Sequence, residues 1–278
     1  MSLAIVTGAS RGIGRTIAIR LAGLGHTVAC IARSRGPLEA LAAEHPACLP
    51  LPLDLTDEHL VREQVGALLS EHGPCAVLVN NAGMGLRAAV EELPLAGFRR
   101  QMDINVVSCL QMMQLVLPGM RAAQAGLIVN ISSVSGRIAT PFHGGYSATK
   151  FALEALSDAL RVEVQPFGVR VVLIEPGPVG TDFGATAAAE SGSLLTDSRS
   201  PYASQYKAYL RSNQRAHAQE WTPDAVADVV LRAVQSPSPG HRYGAYNLKY
   251  GAAIQIGKLS SWLLDRILLR NMRLGDDT

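Results

Sequence analysis

Leu3-Ala-Ile-Val-Thr-Gly-Ala-Ser-Arg-Gly-Ile-Gly14 joins a short apolar run to a turn that holds three glycines. The apolar run favours a β-strand, and residues 15–24 have the apolar periodicity of an α-helix. Strand, glycine-rich turn and helix in this order are the context of a dinucleotide site. There Gly8 would permit the tight turn, Gly12 would let the backbone approach a pyrophosphate, and Gly14 would let helix and strand pack closely. Free N–H groups at the helix amino end would bind the phosphates. The alternative is a glycine turn that serves folding alone.

The end of the second predicted strand, Thr27–Ala32, indicates which dinucleotide would bind. An acidic residue here would hydrogen-bond the adenosine ribose hydroxyls and select NAD. Ala32 cannot do so, and it leaves room for a 2′-phosphate that Arg33 and, from the glycine loop, Arg11 could pair with. The alternative is that both arginines are ordinary surface residues. The sequence therefore favours NADP(H) over NAD(H).

The rest of the chain alternates strand-like and helix-like segments, as a doubly wound α/β fold does. Further strands are predicted at residues 47–53, 76–79, 126–131, 169–174 and 243–246. Further helices are predicted at residues 37–44, 57–71, 94–120 and 146–165, and from Pro223, with Thr222 as its cap. Residues 175–181 are too rich in proline and glycine for helix or strand. A length of 278 residues, 48% of them hydrophobic, suits one large domain with a sizeable core.

Composition and charge exclude several functional classes. The formal net charge is +2, and no basic stripe with interleaved aromatic residues indicates nucleic acid. The four cysteines include no Cys-x-x-Cys pair, so we expect buried free thiols rather than disulfides or a metal site. Neither a signal peptide nor a membrane-spanning apolar run is visible, which predicts a cytoplasmic protein.

Tyr146-Ser-Ala-Thr-Lys150 opens a predicted helix rich in good helix formers. A tyrosine and a lysine four residues apart lie one turn apart on the same helix face. A fixed positive charge beside a phenol favours the phenolate, which lets tyrosine exchange protons near neutral pH. Ser133, just after the strand at residues 126–131, could meet the tyrosine over a substrate carbonyl. Taken alone, such a pair is usually a surface coincidence, and the glycine-rich turn is what strengthens the catalytic interpretation.

Together these motifs resemble the short-chain dehydrogenase/reductase family over about residues 3–250. The resemblance rests on motifs in the family's order and at similar spacing, namely Thr7-Gly8-x-x-x-Gly12-x-Gly14, Asn80-Asn81-Ala82-Gly83, Asn105, Ser133, Tyr146-x-x-x-Lys150 and Pro176-Gly177. The segment from Ile131 to Glu154 looks like the branch that holds 17β-hydroxysteroid and retinol dehydrogenases. The resemblance implies a three-layer Rossmann fold with a doubly wound, mostly parallel, seven-stranded sheet, forming one catalytic domain over residues 1–250.

The resemblance also implies roles for single residues. Tyr146 would donate the proton to a developing alkoxide, Lys150 would hold the nicotinamide ribose, and Ser133 would position the substrate oxygen. Asn105 would hold a water that links Lys150 to solvent. Asparagine is a poor interior helix residue, which indicates a function for this side chain. The alternative is a buried amide bonded to a backbone carbonyl.

Cofactor contacts are implied for the glycine loop and for loops that follow strands. Besides Tyr146 and Lys150, they are Gly8, Ser10, Arg11, Gly12, Ile13, Gly14, Arg33, Asp54, Leu55, Asn81, Ala82, Gly83, Pro176, Gly177, Val179 and Thr181. Two of these have structural alternatives. Asp54 could accept from the adenine amino group or cap the next helix, and Thr181 could bind the cofactor or cap the segment after it.

The resemblance implies that residues 183–219 close over the substrate, and the small residues at the start of this segment suit a mobile lid. A mostly apolar substrate site is expected from residues beside the motifs, namely Met84, Ser133, Val134, His143, Tyr146 and Phe183. His143 is expected to pack in its loop rather than take part in catalysis. Tyr202, Tyr206 and Tyr209 are spaced for one helix face, where we expect core packing, with a pocket contact as the alternative.

A carboxyl-terminal extension, residues 251–278, is predicted to contain one amphipathic helix over residues 254–273. Its apolar side would consist of Leu259, Trp262, Leu263, Ile267 and Leu268, and its basic residues are Lys258, Arg266, Arg270 and Arg273. Such a helix could cover the substrate site, pack in a dimer or lie on a membrane surface, and the packing interpretations are favoured.

The sequence thus predicts an NADP(H)-dependent alcohol dehydrogenase or carbonyl reductase for a lipophilic substrate, for example a steroid-like or retinoid-like one. A 3-oxoacyl thioester reductase of lipid metabolism is an alternative, although it would need a basic face for an acyl carrier. A non-enzymatic NADPH-binding regulator is the alternative from another class. An epimerase or dehydratase is disfavoured, because the chain has little room for a sugar-nucleotide domain. The resemblance also implies a homodimer or homotetramer.

Overall fold

Seven parallel strands form the centre of the protein. The computed structural model describes the backbone of residues 2–216 and 221–273 and the side chains of residues 2–211 and 221–269. The strands are β1 (Leu3–Thr7), β2 (Thr27–Ala32), β3 (Cys48–Pro52), β4 (Cys75–Asn80), β5 (Gly126–Ile131), β6 (Val169–Pro176) and β7 (Arg242–Ala245). They pair in the order β3-β2-β1-β4-β5-β6-β7. All residues of β1 and β5 are buried, because a parallel sheet that is covered on both faces has no solvent side.

Helices connect the strands and extend beyond the last one. They are α1 (Gly12–Gly23), α2 (Arg35–Glu44), α3 (Glu58–His72), α4 (Leu95–Met102), α5 (Ser108–Ala122), α6 (Gly144–Val164), α7 (Phe183–Ser191), α8 (Ala203–Ala216), α9 (Pro223–Gln235), α10 (Leu248–Leu259) and α11 (Ser261–Arg273). Thr222 begins α9 as predicted, since its side chain accepts a hydrogen bond from Ala225 N. Most predicted elements agree with the structure to within about one helical turn at their ends.

Apolar side chains pack on both faces of the sheet and make three layers. Alternate residues of β1 point to opposite faces, so Ala4 and Val6 pack with α1 and α9, while Leu3 and Ile5 pack with α3 and α5. The four cysteines are buried free thiols, as predicted. The predicted three-layer Rossmann fold is therefore confirmed.

The strand order reverses between β1 and β4, which opens a crevice at the carboxyl edge of the sheet. Gly8 and Gly12 lie at this edge with φ of +68° and +55°, a region that side chains disfavour. The chain can therefore turn sharply out of β1 into α1. This edge is where the functional residues of such folds gather.

Three predicted segments differ from the structure. The helix predicted over residues 94–120 is interrupted by a π-helical turn, Asp103–Val107. The predicted loop at residues 175–181 begins later, because Glu175 and Pro176 pair with Gly244 and Ala245 as the end of β6.

The helix predicted over residues 254–273 is two helices, because the chain breaks at Ser260. Its hydroxyl accepts a hydrogen bond from Leu263 N at 3.2 Å and so caps α11. The chain enters α10 earlier than predicted, at Asn247, whose side chain accepts from Tyr250 N.

The described part of the predicted lid is mostly helical, and its small-residue stretch forms α7. Tyr206 on α8 is fully buried, donates to Glu92 and accepts from Ala89 N. Core packing is confirmed for Tyr206 by its cluster with Phe142 and Leu195, whereas Tyr209 packs against this cluster and also lines the cavity, as the alternative predicts. Residues 217–219 of the predicted lid lie outside the described residues. Within the described chain, no helix has the length and apolar character needed to cross a membrane.

Candidate active site

A cavity of about 990 Å³ runs along the carboxyl edge of the sheet. Ala32, Arg33 and Asp54 line its first end. The glycine loop and the loops after β4 and β6 line its middle, and Tyr146 marks the start of its second end. The predicted cofactor and substrate residues therefore lie along one continuous space, except Gly14, which packs behind it.

The glycine loop is held so that the amino end of α1 faces the cavity. A Cβ atom at Gly14 would lie 2.3 Å from Gly8 O and 2.4 Å from Asn81 Nδ2, so only glycine allows this packing. The Asn81 amide donates to Thr7 O at 2.9 Å and Gly8 O at 3.3 Å, which fixes the turn. Arg11 precedes α1 without a side-chain cap, so the first N–H groups of the helix stay available for an anion. These features fit a dinucleotide pyrophosphate.

The two arginines predicted for a 2′-phosphate differ in their surroundings. Arg33 is exposed at the cavity edge, and no ion pair holds it among the residues that the structure describes. Arg11 instead pairs with Asp182 at 3.4 Å and donates to Thr186 at 3.1 Å, both beside or on α7. Within the described chain Arg33 is thus unpaired beside the adenosine end, whereas Arg11 would have to leave Asp182 and Thr186 to reach a 2′-phosphate.

Asp54 lies beside Arg33 and is engaged by its own loop. Its carboxylate accepts from Thr56 N at 3.0 Å and from Thr56 Oγ1 at 2.8 Å. Partial burial opposes ionisation, but these hydrogen bonds and the positive charges of Arg33 and Arg100 outweigh it and lower the pKa of Asp54. The cap of α3 is Asp57, so the alternative that Asp54 caps this helix is wrong.

The predicted catalytic side chains meet at the middle of the cavity. Lys150 Nζ lies 5.8 Å from the ring centre of Tyr146 and donates to Ile131 O at 2.8 Å, which fixes the ammonium. Ser133 Oγ accepts from Ser135 N at 3.1 Å and lies 3.4 Å from Pro176 O. All three side chains line the cavity. The group can place a hydroxyl, a phenol and a cation around one reacting oxygen.

Asn105 is fully buried in the π-helical turn, and its side chain ties together two neighbouring segments. The amide oxygen accepts from Met84 N at 2.8 Å, and Nδ2 donates to Met84 O and to Thr149 Oγ1, each at 2.9 Å. This matches the alternative that the side chain is a buried amide bonded to backbone. It fixes the loop after β4 against α6, one residue from Lys150.

The loop after β6 folds over the glycine loop. The Thr181 methyl carbon would be 3.2 Å from a Cβ at Gly12, and its hydroxyl accepts from Phe183 N at 3.3 Å, as the capping alternative predicts. The ring of Phe183, the first residue of α7, lies 5.7 Å from the ring of Tyr146. The start of the predicted lid thus contacts the catalytic tyrosine candidate directly.

The second end of the cavity has mostly apolar walls and one polar contact. Met84 and Val134 are buried there as predicted. His143 Nε2 lies 2.7 Å from Tyr209 Oη on α8. Burial and the positive charge of Arg87 lower the pKa of His143 to about 4, so the ring is neutral near pH 7. His143 contacts both its loop and the cavity.

The segments α10 and α11 form a wall of the cavity, as the interpretation that they cover the substrate site predicts, although the sequence missed which residues face inward. The residues of this wall are Tyr250, Ala253, Ile256, Leu264, Ile267 and Leu268, which face Ile138 and Val134. The predicted apolar side of this segment is wrong in part, because Leu259, Trp262 and Leu263 point outward. The spacing of Leu264 and Leu268, one helical turn apart, is the signal that could have located the inner face.

A buried ionic network behind Ser133 was also missed. Arg137 pairs with Glu175 at 2.6 Å, and Arg242 Nε lies 3.1 Å from Glu154 and 3.3 Å from Glu175. Burial raises the pKa of Glu154, a tendency that Arg242 and Ser132 oppose. The network joins β6 and β7 to α6, the helix that carries Tyr146 and Lys150.

The doubly wound sheet, the glycine loop and the Ser133–Tyr146–Lys150 group define a dinucleotide-binding protein equipped for proton transfer. The profile of the short chain dehydrogenase family matches residues 2–192. The chain therefore belongs to the short-chain dehydrogenase/reductase family, and it is an oxidoreductase of the NAD(P)-binding type.

Individual relatives agree with this assignment. The chain is 34% identical to a 3-ketodihydrosphingosine reductase of Bacteroides thetaiotaomicron, over 97% of this chain and 96% of that protein. It is 36% identical to the human 17-beta-hydroxysteroid dehydrogenase type 1, over 87% of this chain and 76% of that protein.

Solved structures show the same fold. A short-chain dehydrogenase from Streptomyces avermitilis superposes with a TM-score of 0.80 at 28% identity, covering 100% of this chain and 98% of that one. A metagenomic short-chain oxidoreductase in complex with NADP superposes with a TM-score of 0.69 at 29% identity, covering 88% of this chain and 98% of that one.

Proposed function

We propose that the protein interconverts a lipophilic ketone or aldehyde and its alcohol, with NADP(H) as the hydride carrier. The observation that carries this proposal is the continuity of the cavity. It joins the glycine loop and the Tyr146 group to a wall of Val134, Ile138 and Leu264. A mostly apolar end with few polar groups suits a hydrophobic substrate rather than a sugar phosphate.

The residues of the chain would divide the work around the substrate oxygen. Bound NADP(H) would supply or accept the hydride, and the protein would supply orientation and acid–base help. In the reducing direction Tyr146 would give its phenolic proton to the oxygen, while Ser133 would donate a hydrogen bond to it. Lys150, whose ammonium is already fixed by Ile131 O, would favour the phenolate left on Tyr146 and hold the nicotinamide ribose. Asn105, bonded to Met84 and to Thr149 beside Lys150, would keep the loop after β4 and α6 in place around this group.

The proposed preference for NADP(H) rests on the adenosine end of the cavity. Ala32 supplies no carboxylate to bind ribose hydroxyls, and Arg33 lies exposed beside the position a 2′-phosphate would take. The NADP complex of the metagenomic relative agrees with this choice.

The names of the relatives support the proposed substrate class. One is called a ketodihydrosphingosine reductase and another a hydroxysteroid dehydrogenase, and both names denote lipophilic substrates. Coverage of 97% of the chain by the first includes α10 and most of α11, which form part of the cavity wall. A long-chain or polycyclic ketone is the substrate class that we infer from the wall and these names.

The test is NADPH oxidation by the purified protein against 17-ketosteroids, long-chain β-keto amines, retinal and 3-oxoacyl thioesters. We expect turnover on lipophilic ketones, and a loss of at least ~100-fold in kcat for Tyr146→Phe, because the proton donor is removed. Tyr243→Phe is the matched control, since this tyrosine lies in β7 away from the cavity and bonds Gly240 N.

Three other outcomes would contradict parts of this proposal. Full activity of Tyr146→Phe would remove this tyrosine as the acid. Turnover confined to thioesters would favour the 3-oxoacyl reductase. Tight NADPH binding without turnover on any compound would indicate the non-enzymatic regulator.

A further inference from the structure

Exposed apolar side chains are concentrated in the carboxyl-terminal helices. Fifteen large apolar side chains are exposed in the described part of the chain, and six of them fall within residues 248–269. Leu248, Leu259 and Trp262 are 92%, 86% and 64% exposed, and Leu263, Ile267 and Leu269 complete the set. Single exposed apolar residues are ordinary, whereas a cluster of them marks an interaction surface.

The two faces of α11 are both apolar, and only one is used within the chain. Leu264 and Leu268 point inward and pack with Ile254, Val134 and Ile138 against the cavity. Trp262, Arg266 and Leu269 follow at helical spacing on the opposite side and are exposed. The cavity wall therefore does not require the outer face, which we define as Leu248, Leu259, Trp262, Leu263, Arg266 and Leu269.

Basic residues surround these apolar side chains. Residues 248–269 contain Lys249, Lys258 and Arg266, all exposed, against a single acidic residue, Asp265. The Arg266 guanidinium lies 4.8 Å from the ring centre of Trp262. Apolar and aromatic side chains mixed with lysine and arginine are the composition of helices that lie in the headgroup region of anionic bilayers. The side chains of Arg270 and Arg273 lie outside the described residues.

The outer face borders the cavity. Ile267 and Lys249 line the cavity and are also exposed, so they stand at its rim. A partner bound to the outer face would therefore also lie beside the substrate end of the cavity. A lipophilic molecule could pass between the two without crossing much water.

We propose that the outer face of α10 and α11 docks on an anionic lipid bilayer, with the rim of the cavity at the lipid surface. A second copy of the chain fits this face less well. In a two-fold interface the same surface meets itself, which would bring together two patches that each carry Lys258 and Arg266 with only Asp265 to offset them. Anionic headgroups complement these charges, and the acyl region accepts Trp262 and the leucines.

Vesicle sedimentation tests the docking without depending on turnover. The full-length protein is mixed with phosphatidylcholine vesicles that either contain or lack phosphatidylglycerol. We expect binding to the anionic vesicles, weakened by added salt, and a loss of at least ~10-fold in affinity for the Trp262→Ser, Leu263→Ser double variant. Leu95→Ser on α4 is the matched control, because Leu95 is also exposed but lies outside the outer face.

Tryptophan fluorescence gives a second readout. The chain has two tryptophans, so in a Trp221→Phe background the emission reports Trp262 alone. Anionic vesicles should shift this emission to shorter wavelength, and if Trp221→Phe does not fold, the difference between wild type and Trp262→Phe serves instead. Absence of both binding and shift at low salt would overturn the proposal. So would a wild-type dimer that the double variant converts to a monomer while neither protein binds vesicles.

Discussion

His143 and Tyr209 are the polar pair at the substrate end of the cavity, where the amino end of α6 meets α8. His143 Nε2 lies 2.7 Å from Tyr209 Oη. Burial and the positive charge of Arg87 lower the pKa of His143 to about 4. A neutral imidazole and a phenol can bind a hydroxyl or an amino group of a substrate. They offer no positive charge to a carboxylate.

The depressed pKa of His143 predicts how stability depends on pH. The unfolded chain takes up a proton on this residue near pH 6.5, whereas the folded protein does so only near pH 4. Between these values the unfolded state binds more protons, so stability is full above about pH 6.5 and falls as the pH falls towards 4. Over this pH range we expect the free energy of unfolding of His143→Gln to fall by roughly 1–3 kcal/mol less than that of the wild type. Urea unfolding of both proteins from pH 7 to pH 4 measures it.

An exposed histidine serves as the control for this prediction. His59→Gln, on the surface of α3, should change the free energy of unfolding at pH 7 by less than about 0.5 kcal/mol, which shows the cost of replacing a histidine as such. Parallel profiles for wild type and His143→Gln would contradict the prediction.

For single residues, the sequence predicted their place in the fold more reliably than the side chains that they contact. Ser133, Tyr146 and Lys150 meet as expected, because each lies just after a strand or at the start of a helix that the apolar pattern locates. The sequence did not predict that Arg11 pairs with Asp182 and Thr186, because these partners lie far along the chain. No local pattern carries information on such tertiary contacts.

At the scale of elements, Arg242 connects three parts of the catalytic region. From β7 it reaches Glu175 on β6 and both Glu154 and Asp158 on α6. Glu175 directly precedes Pro176, whose carbonyl oxygen lies beside Ser133. The ionic network therefore fixes the helix of Tyr146 relative to the strand behind Ser133.

Removal of this arginine should destabilise the protein strongly. Arg242→Ala leaves the buried carboxylate of Glu154 without its arginine, while Glu175 keeps Arg137, and the loss of one partner costs about 3 kcal/mol in similar buried pairs. Arg20→Ala removes an exposed arginine that pairs with Asp224 and Asp228, and should cost less than about 1 kcal/mol. The free energies of unfolding of the two variants at pH 7 provide the comparison. Equal losses would show that the network contributes no more than a surface ion pair.

The elements that the sequence misjudged are those in which side chains compete with the helix pattern. Ser260 breaks the carboxyl-terminal helix because its hydroxyl caps α11, although the apolar spacing continues through it. The π-helical turn at Asn105 occurs where its amide bonds Met84 and Thr149 instead of solvent. Apolar periodicity located the helices, but it could not show which of two apolar faces on α11 is inside.

At the scale of the whole molecule, the cavity depends on parts that are distant in sequence. The alternation of strands and helices predicted the doubly wound α/β class, because each parallel strand needs a crossover on one of its faces. The family resemblance implied the seven-stranded sheet. The reversal of strand order beside β1 then brings the glycine loop, the loop after β4 and the loop after β6 to one edge. A dinucleotide bound along this edge would contact the glycine loop and the loops after β4 and β6 at the same time.

Such a ligand should stabilise the folded protein as a whole, and the increase should depend on the 2′-phosphate. At about 100 times its Kd a ligand adds about 2.7 kcal/mol, which for a chain of this size raises Tm by about 5 °C. We expect NADPH to raise Tm more than NADH at equal concentration. Arg33→Ala should make the Tm increases with NADPH and NADH equal, because it removes the cation at the adenosine end. Arg35→Ala is the matched control: this arginine pairs with Glu39, and its removal should leave the difference between the two Tm increases unchanged. A larger shift with NADH would contradict the preference for NADP(H). A difference that survives Arg33→Ala would assign the preference to residues other than Arg33.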